Sequence, residues 1–381
     1  MKITEIRGFN LSFPLAEPMG NAIGLFRKRD ALLVQICTDS GLSGWGEAGN
    51  SPHAAGAFIR ARLAGLVLGM SPAEYGRHFQ SMCASVGYDR RGAAMMAISA
   101  IDIALHDLAA QMHGISVAAL LGGALRNEVF AYASGPFVRM QPDPYREYQR
   151  EVDHYLTLNF KAIKPRGGVE PRADGIMANA LRRQVGPNIG IMVDINQGYT
   201  AAAAIRAAKF MEDADLLWIE EPVQPEDIPG YQSFARATRV ATAGGEALGS
   251  VRAFRDFLAA GTFDILQPDL SICGGYSGFR QIWALAQAYD LPIMPHVFGT
   301  AVNFQASLQM SAVLERRRGG ACAAYPFVEY DMMDNPLLRL SGTPSVDRHG
   351  MLAVPDGPGT GLDLRPEQFE PWITGCWSEH L

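Results

Sequence analysis

Three acidic residues, Asp194, Glu220 and Glu246, recur at one interval of 26 positions, and each closes a run of apolar or small residues: IMVD, LLWIE and VATAGGE. After each acid the chain can turn away into a helix, so the stretch has the form of three successive βα units. Neighbouring parallel strands lie about 4.8 Å apart, and strands that end together bring their last side chains to one point. Three carboxylates held there unpaired would force one another to take up protons. A divalent cation removes the conflict, and an all-oxygen ligand set favours Mg²⁺, with Mn²⁺ as a close substitute, over zinc. The plainer reading of any one such acid is a helix N-cap or a salt-bridge partner. Repetition at one spacing and one strand position favours the metal.

The chain has room for the barrel this implies. Its 381 residues hold a barrel of about 250 residues and a second unit of roughly 100 to 130. Hydrophobic content of 48% against 19% charged supplies a sizeable core. A net charge of −6 gives nothing to recruit nucleic acid or an anionic membrane, and the basic clusters at 27–29 and 316–318 read as solvated turns. Cys37, Cys83, Cys273, Cys322 and Cys376 form no CxxC pair, which argues against zinc and disulfide frameworks and for a reducing, cytoplasmic setting. The N-terminal MKITEIRGFNL alternates like a strand and has no apolar signal core, and no run is read as reaching the ~20 apolar residues of a membrane span.

Residues 1–125 read as an α+β unit, with an antiparallel meander over 1–13, 31–38 and 42–47 and helices over 54–68, 71–85 and 92–113. The last helix is apolar round most of its circumference and therefore buried, so His106 and Asp107 within it are read as interdomain hydrogen-bond partners, not catalysts. Two Gly/Pro-rich segments, 16–26 (AEPMGNAIGLF) and 49–56 (GNSPHAAG), read as loops, either lids or plain connectors. As lids they would offer Asn21, Phe26 and His53 to a substrate. From 126 to 340 short apolar strands alternate with amphipathic helices, the strands falling at 129–134, 162–166, 190–196, 216–221, 240–246, 264–270, 292–297 and 323–329. Eight such units predict a closed barrel with its active site at the C-terminal strand ends. The turn-rich segment 341–381 is expected to return to the first unit.

Polar residues close the remaining strands too. Lys164 and Arg166 share one face of FKAIKPRGG by alternation, Asp269 ends DILQPD, His296 ends PIMPH and Glu329 ends YPFVE. Taken singly, His296 reads as a satisfied core histidine and Asp269 as a cap. Together with the three acids they read as a His–Asp dyad facing a metal. With WIEEP at the second acid, KxR in place of KxK, the Asp–His pair and the final Glu, the chain resembles the mandelate racemase/muconate lactonizing enzyme subgroup of the enolase superfamily over nearly its whole length. DILQPDLSICGG, PHVFGT and VPDGPGTGLDL look closest to its sugar-acid branch of dehydratases and lactone cycloisomerases. The resemblance implies an α/β fold, a modified (β/α)7β TIM-type barrel beneath an α+β capping domain built from the N-terminal region and the C-terminal tail. It also implies a homo-oligomer.

The chemistry so implied is removal of the proton α to the carboxylate of a small molecule, a sugar acid or its lactone. Asp194, Glu220 and Glu246 would hold Mg²⁺ against the substrate carboxylate. Lys164 would share that carboxylate's charge, Asn196 would be an outer partner of ion or substrate, and Glu329, in its protonated form, would donate a hydrogen bond to the other oxygen. His296 would take the proton while Asp269 holds its tautomer. Arg166 stands where the subgroup's racemases carry a second, lysine base. A pKa above ~12 makes arginine a poor base, so single-base β-elimination is favoured over racemisation, and Arg166 is assigned to a substrate hydroxyl or distal carboxylate. Pro165 leaves the direction of both flanking cations open. The leading expectation is an acid-sugar dehydratase; the alternative, with a ring oxygen leaving, is a lactone cycloisomerase. A catalytically silent barrel should have lost ligands that this chain retains.

Overall fold

The computed structural model of the protein describes residues 1–87, 90–317 and 323–381; Arg318 and Cys322, both named above, lie outside the described residues. Cys37, Cys83, Cys273 and Cys376 are free. Strands Ile3–Gly20, Leu25–Thr38 and Ser43–Ala48 form an antiparallel meander, and the last element of the chain, Ile373–His380, pairs with the first of them. Segment 16–26 is accordingly not a loop. The first two strands run on as a hairpin arm that turns only at 21–24, and Val138–Arg139 adds to its edge at Met19 and Gly20. Its prolines fit because the register shifts between Pro14 and Met19, where a missing N–H costs no ladder bond. Segment 49–56 runs into the helix Pro52–Phe58, with proline in its first turn where the lost donor had no partner.

Helix Gly92–Met112 is long and apolar enough to cross a membrane, contrary to the sequence reading, but 94% of its apolar window is buried inside the protein. It is a core helix. Strand Ser43–Ala48 lies directly on it: a Cβ at Gly46 would sit 1.8 Å from the Ala100 carbonyl oxygen. Alternation then turns Trp45 and Glu47 the other way, toward the barrel, where Trp45 packs with Ala301 and Val302.

The barrel strands are Glu128–Ser134, Ala162–Lys164, Gly190–Ile191 continued by Val193–Asp194, Ile219–Glu220, Thr242–Gly244 and Ile265–Leu266, followed by single bridges at Ile293 and His296, and finally Phe327–Asp331. Helices Tyr148–Thr157, Pro171–Val185, Ala201–Phe210, Ile228–Ala237, Val251–Ala259, Gly275–Ala288 and Ala301–Val313 follow the first seven. The eighth strand pairs in parallel with the first and closes the ring, giving (β/α)7β. Regular pairing is shorter than the apolar runs predict, because backbone N–H groups past the strand ends donate to carboxylates instead: Asn196 to Asp194, Ser271 to Asp269 and Val297 to Glu329. The eighth strand departs the other way. It continues through Asp331 opposite Ser134, so Glu329 lies within it, not at its end.

Phe130, Tyr132, Ala162, Met192, Trp218, Ala243, Ile265, Met294, Tyr325 and Phe327 form an apolar plug inside the ring. Two residues further along, on the same strand face, stand Ser134, Lys164, Asp194, Glu220, Gln267, His296 and Glu329. One step of alternation turns the plug into a polar floor.

Candidate active site

Asp194 and Glu220 are register partners on adjacent strands, and Glu246 follows the next strand after the left-handed Gly245 (φ 117°). One oxygen of each lies within 4.8 Å of the others. Neighbours fix the orientation of two of them. Asn196 donates to both Asp194 oxygens, from its backbone at 2.8 Å and its amide at 2.9 Å, while Trp218 Nε1 (3.0 Å) and Gln267 Nε2 (2.9 Å) both donate to Glu220 Oε2. Glu246 Oε2 is buried and makes no hydrogen bond; His296 Nε2 is 3.1 Å away but out of line. Burial holds Glu246 above the usual carboxylate range against the pull of His296. Burial and the Glu246 charge push Glu221, beside it, well above that range. Hard oxygens, an orphaned carboxylate atom and crowded like charge suit a divalent cation, and the residues present fit Mg²⁺.

Pro165 does not turn Lys164 and Arg166 apart, and both point into the barrel. Lys164 Nζ is 2.5 Å from Glu220, 2.9 Å from Glu329 and 3.6 Å from Asp194. Arg166 donates to Asp194 and, at 2.8 Å, to Ser134, with its guanidinium over Phe137. Ser134 in turn donates to Glu329 at 2.5 Å, and the Val297 N–H donates to the other Glu329 oxygen at 3.1 Å. Although burial opposes it, Lys164, His296 and Arg166 hold Glu329 below the usual carboxylate range. Its oxygens accept here, from Ser134 Oγ and Val297 N, where a protonated donor was expected.

His296 Nδ1 is 2.7 Å from Asp269 Oδ2, which leaves Nε2 facing Glu246 and, at 3.8 Å, Glu329. Burial disfavours the imidazolium, but Glu246, Glu329 and Asp269 outweigh it and raise the ring to about 10.

The segments expected as lids divide. The Asn21 side chain caps its own turn, accepting from Ile23 N at 3.0 Å, and Ala22 beside it rests on the loops after the second and third strands, 2.7 and 2.6 Å from where a Cβ on Gly168 or Gly198 would stand. Phe26 meets the Phe298 ring at 6.0 Å and lines a cavity of about 200 Å³ with Arg29, Glu47 and Phe298. His53 is exposed on its helix, and among the described residues it has no hydrogen bond or ion pair to the site. Among the described residues, neither residue of the pair read as interdomain partners bonds to a barrel element: Asp107 accepts from Trp45 N of the capping sheet and Thr360 N of the C-terminal segment, and His106 turns back to Asp102 of its own helix.

Ser134 and Gln267 stand two residues beyond Tyr132 and Ile265 of the barrel plug, and Trp218 lies in the plug itself; all three were missed because they carry no charge. Arg29 and Glu47 come from the other unit, where no barrel periodicity marks them. Arg29 is buried, 3.5 Å from Asp331 and 3.5 Å above the Phe298 ring.

Residues 147–368 match the family model described as enolase C-terminal domain-like, and residues 3–122 match the mandelate racemase/muconate lactonizing enzyme N-terminal domain. The D-galactarolactone cycloisomerase of Agrobacterium fabrum is 34% identical over 96% of this chain and 97% of its own. Among solved structures, the 3,6-anhydro-D-galactonate cycloisomerase from Zobellia galactanivorans superposes with a TM-score of 0.88 at 29% identity, over 98% of this chain and 100% of that one. The L-talarate dehydratase from Polaromonas sp. JS666, complexed with Mg and L-glucarate, gives 0.86 at 26% identity over 100% and 99%. On these grounds the chain belongs to the mandelate racemase/muconate lactonizing enzyme group of the enolase superfamily.

Proposed function

We propose that the protein is a Mg²⁺-dependent enzyme that removes the proton α to the carboxylate of a sugar acid and expels the oxygen on the adjacent carbon. The observation that carries this is a single imidazole, His296, backed by Asp269 at 2.7 Å and facing the acidic trio, with an arginine where a second base would be needed to racemise. Asp194, Glu220 and Glu246 would hold the cation, which supplies positive charge against the substrate carboxylate. Lys164 adds a fixed charge beside the same position. Asp269 occupies Nδ1, so with the Glu246 charge that raises the ring offset by the bound cation, the neutral imidazole would accept the proton at Nε2. The C–H pair becomes the new C=C bond as the C–O bond breaks, and the proton on His296 goes to the departing oxygen. Arg166 binds substrate oxygen and does not exchange protons.

With a hydroxyl leaving, the enol product tautomerises to a 2-keto-3-deoxy acid and the enzyme is a dehydratase. The likeness to the Agrobacterium fabrum enzyme, at near-complete coverage of both chains, favours a second reading in which the leaving oxygen belongs to a lactone ring and mass is conserved. Mass spectrometry of a panel of aldonates, aldarates and their lactones incubated with protein and Mg²⁺ separates the two. Loss of water from open-chain acids selects the dehydratase, and isomerisation of lactones alone selects the cycloisomerase. If no member of the panel is turned over or takes up solvent deuterium, at the α-carbon of recovered acid or at the adjacent carbon of the product, the shared step is wrong.

A further inference from the structure

Asp269 is gripped at both ends. Its Oδ2 orients His296, while Oδ1 accepts from Ser271 N (2.7 Å), Ser271 Oγ (2.6 Å) and Asn303 Nδ2 (3.2 Å). Both donor residues are tied to the end of one capping strand, Ser43–Ala48. Gly49 N donates to Ser271 O at 3.2 Å, and the approach is close enough that a Cβ on Gly49 would lie 2.7 Å from Ser271 Oγ. Glu47 accepts from Thr300 N at 3.0 and 3.1 Å, from Thr300 Oγ1 at 2.6 Å and from Asn303 N at 2.9 Å. It therefore fixes the first turn of helix Ala301–Val313 and the short link from His296 to that helix, where a Cβ on Gly299 would lie 2.4 Å from Glu47 Oε1. Ser99 and Asp102 of the capping helix treat the preceding barrel helix similarly, accepting from Gly274 N and Ser277 N at 2.8 and 3.0 Å. The capping unit thus holds the start of each helix that follows a dyad strand.

We propose that Glu47 is a positioning residue for proton transfer at His296. Carried by the capping unit, it sets Asn303, and through it Asp269, so that the imidazole keeps its Nδ1–H bond and presents Nε2 to the substrate; this rests on the assignment of His296 as the base. A carboxylate serving only as a helix cap would stabilise the fold but leave the imidazole unchanged. Glu47 is wholly buried, and burial raises it to about 7 against the pull of its three donors, so the fold retains a costly group where a neutral cap would serve.

The test uses the full chain as wild type and as Glu47→Gln, Glu47→Ala and Asp107→Asn, the last removing a buried carboxylate of the same unit that bonds Trp45 and Thr360 instead. The downfield proton resonance of His296 Nδ1–H, assigned by its loss in His296→Asn, is recorded in each. The resonance is expected to shift or broaden in both Glu47 variants and to stay in place in Asp107→Asn; no change in Glu47→Ala, or in Glu47→Gln if the alanine variant does not fold, overturns the proposal. With a turned-over acid in hand, kcat should fall by up to about 10²-fold while KM stays within about twofold. A fall in kcat no greater than that of Asp107→Asn also overturns it. A wild type that neither turns over any acid or lactone of the panel nor exchanges its α-proton refutes the function above, and the resonance still decides the role of Glu47.

Discussion

His296 and Glu246 separate chemistry from metal binding. Replacing His296 with asparagine should lower α-proton exchange by about 10² to 10⁴-fold, the usual contribution of a general base, while Mg²⁺ still raises the unfolding temperature. Replacing Glu246 with glutamine should remove both effects, because it takes away the carboxylate whose Oε2 has no hydrogen bond. At a hundred times Kd the ion should stabilise wild type by about 2.7 kcal/mol, read by differential scanning fluorimetry with and without chelator. A Glu246→Gln protein with an undiminished Mg²⁺ shift would mean that the ion binds elsewhere. At this scale the charged residues were legible because a charge closing an apolar strand is conspicuous. The neutral ones that orient them, Trp218 and Gln267, were not, since tryptophan and glutamine near a strand end have many ordinary explanations.

Elements were legible in kind and less so in extent. The apolar runs located the strands, but which backbone donors leave the ladder for carboxylates depends on side chains from other strands. The hairpin arm was hidden by its own glycines and prolines, which read as a loop until pairing with Val138–Arg139 is seen. Space around a glycine is equally invisible in sequence, and it gives two substitutions of opposite sign. Gly46→Ala places a Cβ 1.8 Å from the Ala100 carbonyl oxygen, so strand and helix must part, at a cost of about 1 to 3 kcal/mol or more. Gly76→Ala, within helix Tyr75–Ser85 and with nothing within 4 Å of its new Cβ, should stabilise by up to about 1 kcal/mol through the lower entropy of the unfolded chain. Urea midpoints decide both, and a Gly46→Ala protein as stable as wild type would show that the close packing is not required.

For the molecule as a whole, the barrel followed from three evenly spaced acids, whereas the seam between capping unit and barrel did not, because a docking contact leaves no periodic mark in either partner. Glu47 lies in that seam and gives it a pH dependence. Burial raises its folded pKa from 4.5 to about 7, despite hydrogen bonds from Thr300 and Asn303 that favour the anion. A folded pKa above the unfolded one means that the native state binds the proton more tightly. The contribution to stability is then full below about pH 4.5 and is lost as pH rises through about 7. Between pH 5 and pH 8 wild type should lose about 2.5 kcal/mol relative to Glu47→Gln, whose neutral amide does not titrate. Urea unfolding of the two proteins at both pH values isolates this difference, since every other titrating group is common to both and cancels. Parallel pH profiles would mean that the Glu47 carboxylate is already ionised at pH 5, its charge sustained by the three donors at the start of helix Ala301–Val313.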